Sequence, residues 1–194
     1  MAWEVKVGTG EYLTQTQMEN NAKLFNQYFQ AKGVTLEAIC GMLGNIQKES
    51  GLNPGIKQTT STSSGWGLIQ WTPSTVLTDW CNAYGYTWYD GDAQCLRIWS
   101  EGTQEMGAGG SFIPTTEYPY TWTEFCALTN VDEATKAYLY ERERAGVEAL
   151  SNRLTYASNW YEYLTGVTPP TPPTPPIPTK RKGMPVWMMC RPLF

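Results

Sequence analysis

A run of prolines near the carboxyl end limits what this chain can fold into more than any other feature. Seven of the twelve residues 168–179, TPPTPPTPPIPT, are proline. Because proline has a fixed φ angle and no amide donor, the segment can join neither a helix interior nor a central strand, and it is predicted to form a polyproline II spacer. At about 3.1 Å per residue, a straight spacer is roughly 35–40 Å long. We therefore expect a folded domain over residues 1–166, a linker over 167–179 and a short tail over 180–194.

The charge of the chain changes sign at the same boundary. All 18 acidic residues and ten of the 14 basic residues precede residue 167, which gives the domain a net charge of −8. An acidic domain is repelled by the phosphate backbone, so nucleic acid is not an expected partner. The tail, KRKGMPVWMMCRPLF, has four basic residues and no acidic one. It is interpreted as a docking peptide for another protein, with a disordered end as the alternative.

The absence of histidine from the sequence excludes several classes of hydrolase. Ser-His-Asp and Cys-His nucleophilic mechanisms, like histidine-ligated zinc sites, require an imidazole. The five cysteines include no C-x-x-C pair, and four of them fall in helix-like apolar patterns, so we interpret them as reduced core residues. No cofactor and no metal ion is expected. The sequence also lacks the run of about 18–20 apolar residues that a transmembrane segment needs, and it does not begin with a signal peptide.

Apolar residues recur at helical spacing over most of the predicted domain. Thr16 and Glu19 form a capping-box pattern in the first helix, and Thr72-Pro73 fits the start of the third. Helices are predicted over seven segments, at about residues 14–32, 35–50, 72–84, 90–99, 121–129, 132–145 and 147–165. Residues 51–71 are rich in Ser, Thr and Gly and favour a loop or a small β-hairpin. The sequence therefore predicts a mainly α fold with a small β-hairpin or irregular insert.

A single glutamate stands at the end of the second predicted helix, in the sequence Lys48-Glu49-Ser50. To protonate a leaving oxygen at neutral pH, a carboxylic acid needs a partly desolvated site in which it retains its proton. Apolar neighbours are expected to provide such a site here: Ile46, Leu52, Trp66 and Trp71. On spacing alone, Glu49 equally fits a solvated helix end and an ion pair with Lys48 or Lys57.

Three motifs in a fixed order give the domain a resemblance to a known family. They are CGMLGNIQKESGLNPG at residues 40–55, GWGLIQWTP at 65–73 and YER at 140–142. They resemble the phage tail lysozyme family, whose members are peptidoglycan-cutting domains of phage tail tips and related phage lysins. The resemblance covers about residues 12–165 and implies an α+β, lysozyme-like fold. It also implies a glycosidase that cleaves the β-1,4 bond between N-acetylmuramic acid and N-acetylglucosamine in bacterial peptidoglycan.

The resemblance also implies roles for individual residues. Glu49 is expected to be the general acid, and Ser50 to hold the neighbouring backbone or the carboxyl group. Gln70 is expected to hydrogen-bond the substrate, while Trp66 and Trp71 stack on sugar rings or exclude water. Three further polar residues are expected to contact the substrate: Gln58, Ser64 and Tyr140.

The chain departs from many lysozymes at the position of the second carboxylate. Glycosidases usually use two carboxylates, about 5–5.5 Å apart when they retain configuration and about 6.5–9.5 Å apart when they invert it. No acidic residue occurs between Ser50 and Thr78. One mechanism would use a distant acid or ion pair, for which the candidates are Asp79, Asp90, Asp92 and Glu141 with Arg142. The Glu141-Arg142 pair fits a structural salt bridge equally well.

Two further mechanisms need no second acid. In the first, a water molecule held by Gln58, Thr60 or Ser64 is the nucleophile. In the second, the substrate's own N-acetyl or 6-hydroxyl group attacks, as in lytic transglycosylases, which use one glutamate and leave a 1,6-anhydro sugar. A non-catalytic peptidoglycan-binding component of the virion is the alternative class of function.

The resemblance also suggests where such a protein acts. A phage tail or another virion protein is expected to bind residues 168–194, and bacterial peptidoglycan is the expected substrate. The protein is expected either at the tail tip of the virion, acting on the host cell wall, or in the host cytoplasm before release as an endolysin.

Overall fold

The computed structural model describes residues 2–59, 64–143 and 149–168. Its helices are α1 (Gln15–Gln30), α2 (Leu36–Ser50), α3 (Thr75–Ala83), α4 (Gly91–Thr103), α5 (Trp122–Cys126), α6 (Val131–Tyr138) and α7 (Leu150–Thr165), and a π-helical turn, Leu139–Glu143, extends α6. Its strands are β1 (Gly8–Thr9), β2 (Ile56–Thr59) and β3 (Ser64–Trp66). The prediction of a mainly α, lysozyme-like α+β fold is confirmed. Thr60, the predicted linker from residue 169 onward and the whole tail lie outside the described residues.

Helix α2 runs through the centre of the domain, with ten of its fifteen residues buried. Helices α6 and α7 pack directly against it because two glycines remove the side chains that would hold them apart. A β-carbon at Gly41 would lie 2.7 Å from the carbonyl carbon of Ala134, and one at Gly44 would lie 2.5 Å from the carbonyl oxygen of Arg153. These close approaches bring α7 alongside the second half of α2.

The end of α2 is fixed by a left-handed glycine. Gly51 adopts φ +59°, a conformation that costs glycine little, and its amide donates to the Gln47 carbonyl at 3.0 Å. At the other end, the Thr35 side chain accepts from the Ala38 amide as the N-cap. Glu49 therefore lies in the last turn of a helix whose two ends are both defined.

The small sheet follows α2. Strand β2 pairs parallel with β1 and antiparallel with β3, with Lys57 opposite Trp66. The Trp66 and Trp71 backbones then exchange two hydrogen bonds, of 3.2 and 3.0 Å, which fold the chain back towards α3. The β-hairpin predicted within residues 51–71 is therefore present. Strand β1 was missed because two residues are too short to show an alternating pattern.

One predicted capping box and one predicted helix start were wrong. Helix α1 has its capping box two residues earlier, between Thr14 and Gln17, instead of between Thr16 and Glu19. Helix α3 begins at Thr75 because Thr72 still belongs to the preceding turn, where its hydroxyl donates to the Gln70 carbonyl at 3.0 Å. Both errors lie within three residues of the observed boundary, where local capping patterns overlap.

The four cysteines in the described part of the chain are buried and form no disulfide with one another: Cys40, Cys81, Cys95 and Cys126. Burial raises the pKa of Cys81 to about 11, so its thiol is neutral at physiological pH. Within residues 2–59, 64–143 and 149–168, no three Cys, Asp or Glu side chains are grouped so as to hold a metal ion. In the same residues, no helix combines the length and the apolar character needed to cross a membrane.

Candidate active site

A cleft of about 780 Å³ opens where α2 ends. Its walls come from the end of α2, from β2, from the turn between β3 and α3, from the π-helical turn and from α7. Five charged side chains line it: Lys48, Glu49, Arg142, Glu143 and Arg153. A cavity of this size holds an extended ligand, and this one is rich in ionisable groups.

Glu49 is held at the edge of the cleft by a buried arginine. Its side chain is 21% exposed, and its Oε1 accepts from Arg153 Nη2 at 2.5 Å. Arg153 Nη1 donates to Asn45 Oδ1 at 3.0 Å, and Asn45 Nδ2 donates in turn to the Gly41 and Thr135 carbonyls at 2.8 and 3.0 Å. Glu49 thus pairs with Arg153 on α7, rather than with either lysine considered from the sequence. A chain of buried hydrogen bonds fixes its carboxylate relative to α2 and α7.

A second carboxylate, that of Glu143, lines the same cleft. Its Oε1 is buried and has no hydrogen-bond partner within the described part of the protein. Burial and, next, the charge of Glu49 raise the pKa of Glu143 to about 8, against the opposing effects of Arg142 and Arg153. At neutral pH, Glu143 therefore carries a proton in the folded protein.

Sequence reasoning missed Glu143 and considered Glu141 instead. Glu141 is fully buried on the other side of the π-helical turn, where its Oε1 accepts from the Tyr120 amide at 3.0 Å. Burial raises the pKa of Glu141 to about 7, while hydrogen bonds from backbone amides act in the opposite direction. The side chain fastens the 113–120 loop and does not line the cleft. Residues two positions apart on a helix point to nearly opposite sides, so a core position for Glu141 directs Glu143 towards the cleft.

Arg142 is paired with Glu101 of α4, and not with Glu141. Its Nη2 donates to Glu101 Oε2 at 2.5 Å, and the Trp71 indole nitrogen donates to Glu101 Oε1 at 2.7 Å. Arg97 Nε lies 3.2 Å from the same Oε1. Glu101 is 2% exposed, so this cluster is a buried support that fixes Trp71 and Arg142 as one wall of the cleft.

The model of the phage tail lysozyme family matches residues 20–164, about three quarters of the chain. The chain belongs to the phage tail lysozyme family. It is also similar to the "Morphogenesis protein 1" of Bacillus phage B103, with 36% identity over 160 residues. That match covers 80% of this chain and 42% of the relative, so the chain spans less than half of the relative's length. The family resemblance seen in the sequence is confirmed, and the molecule is a phage lysozyme-like protein.

Two glutamines that were predicted to contact the substrate line the cleft. Gln58 Nε2 donates to the Glu49 carbonyl at 2.8 Å, which ties β2 to the end of α2. Gln70 adopts a left-handed φ of 53°, and its Nε2 donates to the Gly67 carbonyl at 2.8 Å. Its Oε1 is buried and has no partner among the residues that the structure describes, which leaves an acceptor for a ligand hydroxyl or amide.

Several other residues that were predicted to contact the substrate lie outside the cleft lining. The Ser50 hydroxyl is buried and donates to the Ile46 carbonyl at 3.0 Å. The Ser64 hydroxyl bonds that of Ser74 at 3.1 Å. Trp66 packs on Trp88, and its ring lies 4.0 Å from Lys57 Nζ. These contacts stabilise the helix end, the hairpin and the loop beside it.

The remaining candidates also lie outside the cleft lining. The Tyr140 ring stacks on Tyr118, with 5.2 Å between the ring centroids. Asp90 caps α4 by accepting from two backbone amides, and Asp92 Oδ1 accepts from the Trp3 indole at 2.8 Å. Asp79 lines a separate cavity of about 470 Å³. The cleft therefore brings together five of the predicted residues, namely Glu49, Gln58, Gln70, Trp71 and Arg142.

Proposed function

We propose that this member of the phage tail lysozyme family is a glycosidase that hydrolyses the β-1,4 bond between N-acetylmuramic acid and N-acetylglucosamine in bacterial peptidoglycan. The observation that carries the proposal is the placement of Glu49, which projects from a capped helix end into a cleft and is fixed there by Arg153 and Asn45. A fixed carboxyl group beside a space for an extended ligand is the arrangement that general acid catalysis on a glycosidic oxygen requires.

The groups around Glu49 support binding of a sugar chain. Gln70 offers a buried amide oxygen without a partner in the described residues, which suits the N–H of an N-acetyl group or a ring hydroxyl. Trp71 is 4% exposed and held by Glu101, so it forms a rigid apolar wall that limits the access of water. Together they orient a saccharide relative to Glu49.

Hydrolysis is favoured over lytic transglycosylation because the cleft contains a second carboxylate. Glu143 lines the cleft with Glu49, although the local sequence after Glu49 lacks an acid. A transglycosylase needs one glutamate, whereas a hydrolase commonly uses a pair. The position of Glu143 therefore supports water as the nucleophile.

The family and the relative support a site of action in the phage particle. We propose that the protein is carried in the tail of a phage particle and acts on the host cell wall. Residues 168–194 are proposed to attach it to another virion protein, with the proline segment setting the reach of the domain.

Mass spectrometry of digested peptidoglycan tests the reaction. The wild-type protein should release muropeptides with reducing ends, and the Glu49→Gln variant should release none while keeping its circular dichroism spectrum and melting temperature. Muropeptides that carry 1,6-anhydro sugars would establish a transglycosylase instead. Binding of peptidoglycan without any release by the wild type would establish a non-catalytic binding component.

A further inference from the structure

Glu143 combines three features that the fold itself does not require. It ends a π-helical turn, it lines the cleft beside Glu49, and its Oε1 is buried without a partner among the described residues. Native proteins pair the large majority of their buried polar atoms, so an unpaired carboxylate oxygen in a cleft is an exception that needs a reason. Single π-helical turns inside helices are likewise frequent at functional sites.

The charged groups that face Glu143 come from four elements. Glu49 on α2 raises its pKa, as does Glu101 on α4, while Arg142 in the same turn and Arg153 on α7 lower it. Both arginines already donate to other carboxylates, Arg142 to Glu101 and Arg153 to Glu49. Arg97 lies behind Glu101, and Lys48 stands at the exposed rim of the cleft. Glu143 is thus near two arginines, each of which donates a hydrogen bond to another carboxylate.

We propose that Glu143 is the second catalytic carboxylate, which accepts the proton of the attacking water and supplies the proton that Glu49 delivers to the glycosidic oxygen. This inference rests on the proposed function. Glu143 supplies the second carboxylate that is missing from the sequence between Ser50 and Thr78.

The proton balance of the cycle is complete with these two carboxyl groups and one water. In the resting protein the proton lies on Glu143. It passes across the cleft to Glu49, which delivers it to the glycosidic oxygen as the bond from C1 to that oxygen breaks and its electron pair stays on the oxygen. The two carboxylates then stabilise the positive charge at C1. Water adds to C1 and gives its proton to Glu143, which restores the starting state.

The raised pKa of Glu143, about 8, suits both halves of this cycle. A group with that pKa holds a proton at neutral pH and, once ionised, is a stronger base than an ordinary carboxylate. The opposing pull of Arg142 and Arg153 stabilises the ionised form while the proton is on the sugar.

Two measurements on the full chain test the inference. With glutamate carboxyl groups labelled with ¹³C, one resonance of the wild type should titrate near pH 8 and be absent from Glu143→Gln. Initial rates of muropeptide release by Glu143→Gln should fall by about 100-fold or more, the size expected for loss of a general acid–base group, with KM changed little. The matched control is Glu162→Gln, the same chemical change on the exposed face of α7, which should keep the wild-type rate.

Chemical rescue separates a catalytic role from a structural one. Glu143→Ala leaves space where the carboxyl group stood, so added formate should restore part of the rate, and it should have no effect on the wild type. No rescue, a rate for Glu143→Gln within twofold of the wild type, or the absence of a wild-type resonance that titrates near pH 8 and is lost in Glu143→Gln would each overturn the inference. If the wild type itself releases no muropeptides, the proposed function fails, whereas the titration still tests whether Glu143 holds a proton at neutral pH.

Discussion

Replacing Gly44 by alanine tests whether the contact between α2 and α7 positions the candidate active site. A β-carbon at this position would lie 2.5 Å from the Arg153 carbonyl oxygen and 2.7 Å from the Ala157 β-carbon. Favourable contacts between carbon atoms lie at about 3.5–4.0 Å, so α7 must move by about 1 Å to accept the extra methyl group. That movement carries Arg153 away from Glu49 and Asn45.

The expected loss of stability follows from two opposing effects. Overpacking a core costs about 1–3 kcal/mol, while alanine in place of glycine in a helix returns up to about 1 kcal/mol. The free energy of unfolding should therefore fall by about 1–2 kcal/mol. For a domain of this size, each kcal/mol corresponds to about 2–4 °C in melting temperature, so Tm should drop by about 2–8 °C. Activity should fall more, by about 10–100-fold, because a displacement of about 1 Å in a catalytic site can cost up to about 100-fold.

Thermal unfolding and muropeptide release measure the two effects on the same samples. Gly91→Ala is the control, because its β-carbon would meet the Trp3 ring at 2.1 Å and Gly91 does not line the cleft. It should lower Tm and leave the rate per folded molecule unchanged. Adding Ala157→Gly to Gly44→Ala should restore only part of both losses, since the Arg153 carbonyl remains in the way. Wild-type Tm and rate for Gly44→Ala would refute the direct contact between the two helices.

Three further predictions follow from the charges in the cleft and from the tail. In the folded protein the pKa values of Glu143 and Glu141 are about 8 and about 7, above the ordinary value of 4.5. The folded state therefore binds more protons than the unfolded state between these values. The free energy of unfolding should fall as pH rises from about 5 to 8, because the stabilisation from the protonated glutamates is lost. The Glu143 part of this loss in the free energy of unfolding is on the order of 3–5 kcal/mol. Denaturant titrations from about pH 5 to 8 should show a smaller decline in the free energy of unfolding for Glu143→Gln than for the wild type. An equal decline would contradict the raised pKa. Arg153→Met should lower the free energy of unfolding by about 3–5 kcal/mol in the same assay, because it removes one partner of a buried ion pair, and a neutral result would show that the pair is not formed. Removing residues 168–194 should abolish incorporation into phage particles, assayed by immunoblot, and leave muropeptide release in solution intact; loss of both would tie the tail to folding of the domain.

Local patterns were sufficient to predict most of the framework of this domain. Helix α2, the hairpin insert and the start of α4 follow from spacing, capping residues and turn residues, all within about ten residues of each other. The same information placed Glu49 at a helix end. Its salt-bridge partner could not be found in this way, because Arg153 is 104 positions away along the chain.

A signal for Arg153 was nevertheless present in α7. Its buried residues are Arg153, Ala157 and Trp160, which follow one another at the spacing of a single helix face. An arginine on the apolar face of a helix requires a buried partner, since an unpaired charge there is too costly. That partner had to be a carboxylate on a neighbouring helix, and Glu49 is the one that α2 supplies.

Glu143 was harder to predict because two irregularities coincide there. The π-helical turn over Leu139–Glu143 interrupts the α-helical spacing that the sequence suggested for residues 132–145, so the direction of each side chain could not be read from that pattern. A buried carboxylate oxygen without a partner in the described residues costs stability. The packing of α6 against α2 relies on Gly41 and Ala134 and does not need it. Because Glu143 lines the cleft with Glu49, Glu143→Gln should gain stability at alkaline pH and lose activity, the pattern of a residue retained for its chemistry.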